Sequence, residues 1–186
     1  MLHGQSLSAQ DLDGLERIWA SEGTDYGILG IMLCDRTTGL RSKIRNPEYE
    51  KVRRLRGNQP KLQYRFLSLR QGAGEDIKAY LQYYPEDTAA FSNYGTQVRT
   101  FIQNLHRQYM DCKVRKAKDI KSVPYEYRNH VYALHGQYLG ELQTSGRAVT
   151  RRVVETYVNS LPPARLMFSI NYSLGEKHRA AEAPVV

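Results

Sequence analysis

Three cations at alternate positions, Arg41, Lys43 and Arg45, are the residues whose types and spacing point most clearly to chemistry. In an extended strand, residues at i, i+2 and i+4 share one face, so the three charges form one row while Leu40, Ser42 and Ile44 point the other way. A row of fixed cations on a rigid strand suits phosphate, because preorganised charge stabilises phosphate oxygens without reorganising. Asn46-Pro47 follows at once and reads as a helix cap and first helical residue. Tyr49 then lies next to the row, and Lys51, Arg53, Arg54 and Arg56 cover the exposed sides of the helix that starts at Pro47.

The elements that must position these residues begin at Tyr26. Ile28 to Leu33 is a short apolar run, Asp35 to Gly39 supplies turn chemistry, and Leu40 to Arg45 alternates, so a β-hairpin over 26–45 is expected. A two-stranded hairpin is marginal alone and calls for further strands that the 25 residues before it scarcely provide, so a truncated or split parent domain is expected. Asp11 to Trp19 has apolar residues at 12, 15, 18 and 19, the spacing of a short amphipathic helix. Beyond Gly57-Asn58, apolar periodicity predicts helices around Leu62–Leu69 and Ile77–Tyr84, a long one from Thr88 to Cys112, one from Tyr125 to Leu142, one after Thr150, and a last apolar element over Ala164–Tyr172. The fold class is therefore α+β, mostly helical: a short hairpin followed by a multi-helix domain. The expected divisions are 1–58, 59–172 and a polar, Ala-rich flexible tail over 173–186.

The 186 residues carry a formal net charge of +8. From Arg36 to Arg70 eleven Lys or Arg face only Glu48 and Glu50, so this window holds the excess. Lys61 falls within it, and Arg115 and Lys116 lie in a second basic stretch before Pro124. Such local concentration favours a polyanion, nucleic acid before anionic membrane; a merely solvated cationic face is the plain alternative. Cys34 and Cys112 are too far apart in sequence, and too few, to encode a disulfide scaffold or a zinc site. His130 and His135 are five apart, off the i, i+4 spacing of helical metal ligands, and read as structural; no metal site is expected. Most of the fourteen tyrosines sit at core spacings. There is neither a signal-peptide pattern nor an apolar run of membrane-spanning length, so an intracellular location is expected, in the cytoplasm or a viral factory.

The stretch Arg41-Ser-Lys-Ile-Arg-Asn-Pro-Glu-Tyr49, with the apolar strand and Thr-Gly turn before it, resembles the last two nucleotidyltransferase motifs of the RNA ligase, DNA ligase and mRNA-capping enzyme superfamily. The resemblance covers about 30 residues. It implies that 1–58 is the C-terminal end of a ligase-like nucleotidyltransferase domain and that Lys43 and Arg45 hold nucleotide phosphate as the catalytic cations. Arg41 and Tyr49 would contact the cofactor. It also implies ATP and Mg2+ for the parent enzyme, an upstream nucleotidyltransferase polypeptide as partner, and a helical domain that grips nucleic acid. RNA is expected ahead of DNA, and the basic concentration marks Lys51, Arg53, Arg54, Arg56, Lys61, Arg115 and Lys116 as the nucleic-acid-binding residues. The helical part is similar in kind to the C-terminal domains of viral-type RNA ligases of large DNA viruses. Two departures stand out: Leu29, where the family has Glu, precedes Gly30, and the Lys-x-Asp/Asn-Gly motif that supplies the family's nucleophile does not occur. This chain alone is therefore expected to be inactive. The rival readings are a stand-alone, non-enzymatic, basic helical nucleic-acid-binding protein and a virion or assembly protein.

Overall fold

The computed structural model describes residues 8–72 and 74–182. The chain divides between Asn58 and Gln59 into two compact units. It is α+β and mostly helical, as its patterning predicts.

The first unit contains α1 (Ala9–Trp19), β1 (Gly30–Cys34), β2 (Arg41–Arg45) and α2 (Pro47–Arg56). Helix α1 starts on a capping box in which the Ser8 hydroxyl accepts from Asp11 N–H and the Asp11 carboxylate accepts from Ser8 N–H, satisfying two donors reciprocally. The strands pair antiparallel with Gly30 opposite Arg45, Met32 opposite Lys43 and Cys34 opposite Arg41. Between them Asp35 Oδ1 accepts from the Thr37 and Thr38 amides at 2.7 and 2.9 Å, and these bonds hold its carboxyl below the usual range. Gly39 closes the turn at φ 72°, a region open to glycine.

One expectation differs here. The first strand begins at Gly30 rather than Ile28, because Asp25 to Ile28 is a turn closed by Ile28 N–H to Asp25 C=O at 3.0 Å. No third strand accompanies the hairpin among the described residues; α1 packs on β1 instead. The unit's core is thin. Ala20, Asn46 and Val52 are buried, whereas Ile18, Leu29, Met32 and Leu40 are all more than half exposed.

The second unit is helical: α3 (Leu62–Leu69), α4 (Glu75–Tyr83), α5 (Thr88–Tyr109), α6 (Tyr125–Gln137), α7 (Arg151–Ser160) and α8 (Pro163–Glu182). Helix α5 is the axis, packing on α3, α6, α7 and α8 through Phe91, Val98, Phe101, Ile102 and Leu105. Phe66 meets Phe91 edge-on at 5.3 Å, and Tyr80 stacks on Phe91 at 4.8 Å. The Tyr80 hydroxyl donates to Asp87 at 2.6 Å, so a buried ring keeps its polar end satisfied. Helices α5 and α6 both run on into single π turns, Met110–Val114 and Tyr138–Leu142. Thr150 caps α7 as expected. Helix α8 continues in its backbone to Glu182, well into the segment expected to be a tail; residues 183–186 of that segment lie outside the described residues.

His130 ties α6 to α7 and α8. Its Nδ1 lies 2.8 Å from the Tyr157 hydroxyl and its Nε2 2.9 Å from Ser169 Oγ. Ser169 Oγ also lies 3.1 Å from Arg165 C=O, and of the two ring nitrogens one donates to its hydroxyl partner while the other accepts, according to the tautomer. The ring is thus a neutral imidazole with both nitrogens used. Burial, with a smaller contribution from the Arg165 charge, pushes its pKa down to about 4. An unfolded His130 takes up its proton near pH 6.5, above the folded value, so protonation favours unfolding. Its contribution is fully present above about pH 6.5 and is lost as pH falls toward 4, by roughly 3 kcal/mol. Denaturant unfolding of the wild type and of His130→Gln across this range should show the acid-dependent fall much reduced in the variant. Equal slopes would mean that His130 does not carry the acid dependence.

Candidate phosphate site

Asn46 is the residue on which the site is assembled. Its side chain is fully buried, and each of its hydrogen-bonding groups is used. Oδ1 accepts from Glu48 N–H at 2.9 Å, capping α2, while Nδ2 donates to Asp25 C=O and Ile28 C=O, both at 2.9 Å. Its backbone N–H donates to Leu29 C=O at 3.2 Å and its C=O accepts from Glu50 N–H at 3.1 Å. One side chain therefore starts the helix and holds the turn that enters β1. Gly30 makes this approach possible. It sits at φ 119°, and a Cβ there would overlap the Ile44 carbonyl oxygen and lie 2.9 Å from both Arg45 Cα and Asn46 N.

The consequence is a hollow of about 300 Å³ where the strand ends meet the first turns of α2, near the lower end of the roughly 300–1,000 Å³ typical of ligand sites. Lys43 and Arg45 come from β2, Tyr49, Glu50 and Arg53 from α2, and Leu29 and Met32 supply apolar wall. Glu50 stands between two guanidiniums. It pairs closely with Arg45 and at 3.3 Å with Arg53. The Arg45 hydrogen bond, helped by Arg53, holds its carboxyl below the usual range. The Lys43 ammonium makes no hydrogen bond or ion pair with any described residue.

Of the residues singled out by sequence, the hollow brings together Lys43, Arg45, Tyr49 and Arg53. Arg41 shares their face of the hairpin, opposite Cys34, yet does not line the hollow. Lys51 pairs with Glu48 at 3.6 Å; Arg54 and Arg56 are exposed on the same helix. Lys61 is exposed at the start of the second unit. In that unit Arg115 pairs with Asp111 at 3.1 Å, and Lys116 is exposed at φ 53°, an unusual conformation for a residue with a side chain. Two points are not evident in the sequence: Arg53 belongs with the strand cations rather than with the outer helix, and Glu50 is part of the site. The Arg45, Glu50, Arg53 spacing carries that signal once α2 is known to begin at Pro47.

The donor set suits an anion. Among the described residues no group of three His, Cys, Asp or Glu is placed to hold a metal ion, and the one carboxylate in the hollow is engaged by arginines. The residues do not fit the Mg2+ that the ligase resemblance implies. No described helix is long and apolar enough to cross a membrane. No protein-family model, curated protein or solved structure matches the chain.

Asn46→Asp tests the assembly. Aspartate caps helices as well as asparagine does but cannot donate to the Asp25 and Ile28 carbonyls, and it buries a charge beside them. The variant should lose about 2–4 kcal/mol in denaturant unfolding of the first unit. If Asn46 served only as a helix cap the exchange would cost almost nothing, so unchanged stability would contradict the joining role of its amide.

Proposed function

We propose that this chain is a nucleic-acid-binding protein of the RNA-ligase-like nucleotidyltransferase type, in which the hollow of the first unit holds a phosphate group. Arg54 and Arg56 in this unit, and Lys61, Arg115 and Lys116 in the second, are assigned to RNA backbone contacts. The observation that carries the reading is the convergence of Lys43, Arg45 and Arg53 with the Tyr49 ring on one small hollow. Cations fixed by a strand and a capped helix meet phosphate oxygens with little reorganisation, and a neighbouring tyrosine offers a face for a sugar or base.

Because the sequence holds no Lys-x-Asp/Asn-Gly motif, the role assigned to this chain is binding and charge stabilisation. A covalent lysyl-nucleotide would require a lysine motif outside these 186 residues, with ATP as the nucleotide donor. The charge distribution favours nucleic acid as partner. Residues 1–35 hold one Arg against six acidic residues, whereas 36–58 hold eight basic residues against two acidic ones. The basic part of the first unit is thus concentrated on the strand and helix that form the hollow.

Binding of a single-stranded RNA should weaken steeply with salt. If about four to six phosphates are met, the slope of log K against log salt is about −3 to −4. Lys43→Ala with Arg45→Ala should lower affinity for a phosphate-bearing ligand roughly tenfold, the loss expected for one or two charge-assisted contacts. Salt-independent binding, or none, would remove the reading.

A further inference from the structure

Glu50 gives the hollow a property that a plain basic pocket lacks. Its carboxylate is held by Arg45 and Arg53 at the position where those two side chains would meet a ligand, and it is one turn into a helix whose start is fixed by Asn46. An anion entering the hollow therefore competes with an anion already attached to the protein. A tethered competitor acts at high effective concentration. An internal phosphodiester carries one negative charge, as Glu50 does, and gains nothing by replacing it. A terminal phosphomonoester carries about −1.5 to −2 near neutral pH, with three acceptor oxygens. It can take both guanidiniums and also reach Lys43, whose ammonium Glu50 leaves without a partner among the described residues.

We propose that Glu50 is an internal stand-in for a terminal phosphate, and that the hollow selects the phosphorylated end of a nucleic acid over its internal phosphodiesters. This rests on the reading of the hollow as a phosphate site. The remaining side chains suit such an end: Tyr49 and the apolar wall of Leu29 and Met32 leave a small, partly apolar space beside the cations, enough for the terminal nucleoside and too small for a duplex. When the phosphate enters, Glu50 turns outward to solvent, where α2 is exposed, and the Arg45 and Arg53 forks pass from carboxylate to phosphate.

The test uses the full chain and two 3′-labelled single-stranded RNA oligonucleotides of one sequence, one with a 5′-phosphate and one with a 5′-hydroxyl, measured by anisotropy near pH 8, about two units above the second phosphate pKa. The wild type should prefer the 5′-phosphate. Glu50→Gln should tighten binding of the phosphorylated strand about five- to tenfold and of the hydroxyl strand, whose internal phosphodiesters no longer meet a competitor, by more, so that the preference for the 5′-phosphate narrows, with Glu50→Ala agreeing. Lys43→Ala should abolish the preference. Glu48→Gln removes the same charge from a residue that pairs with Lys51 outside the hollow, and it should affect both strands equally and by less than about twofold. A weaker or unchanged phosphorylated complex in both Glu50 variants would make Glu50 a buttress for the arginines and overturn the proposal. So would equal effects of Glu48→Gln and Glu50→Gln, or a wild type indifferent to the 5′-phosphate. Salt-sensitive binding of both strands without a preference defeats this inference while sparing the proposed function; failure to bind either strand defeats both.

Discussion

The first unit depends on a single buried amide. A hairpin and two short helices enclose little apolar surface, and the area they bury cannot by itself fix their mutual arrangement. Asn46 does so with directional bonds. Its side chain joins the turn at Asp25–Ile28, the entry to β1 and the start of α2. Losing any one of these would leave a buried polar group unpaired, which costs more than the bond itself contributes. The cations are placed as a result: only Asn46 separates the end of β2 from the start of α2, so Lys43 and Arg45 leave the strand into the same hollow as Glu50 and Arg53.

The second unit uses the same device in a different setting. His130 is buried with both ring nitrogens occupied by hydroxyls on two other helices, and Gln63 links α3 to α5 and α8 through Gln97 and Asn171. A well-packed aromatic and aliphatic core supplies most of the stability there, and the polar links specify which helices neighbour one another. The contrast matters for function. A thin unit organised by one amide can expose most of its cationic surface, whereas the helical unit gives its buried volume to packing.

Local features of the chain are legible in its sequence, and long-range ones are not. Alternation over Leu40–Arg45, the turn residues Asp35–Gly39 and the Asn46-Pro47 cap are short-range signals whose physics is contained in a few neighbouring residues, and the hairpin and α2 follow from them. The helices of the second unit are visible in their apolar periodicity. The later start of β1 is hidden, since Ile28 and Leu29 are as apolar as strand residues and only the close approach of Gly30 to Ile44 and Arg45 sets the boundary. Arg53 looks like one of several surface arginines because its place in the hollow depends on a contact with Glu50, which in turn meets Arg45 across the strand–helix junction. The partners of His130 lie 27 and 39 residues away, beyond any periodic signal, and the two π turns end helices whose sequences read as continuous through them.

The most direct measurement is a two-dimensional NMR titration of the full chain with inorganic pyrophosphate, following backbone amides and arginine side chains together. A phosphate site in the hollow predicts saturable shifts concentrated at Lys43, Arg45, Tyr49, Glu50 and Arg53, with the Arg45 and Arg53 guanidinium signals moving together. Shifts spread evenly over the basic residues of both units, or centred on the stretch from Lys113 to Lys121 with the hollow silent, would contradict it.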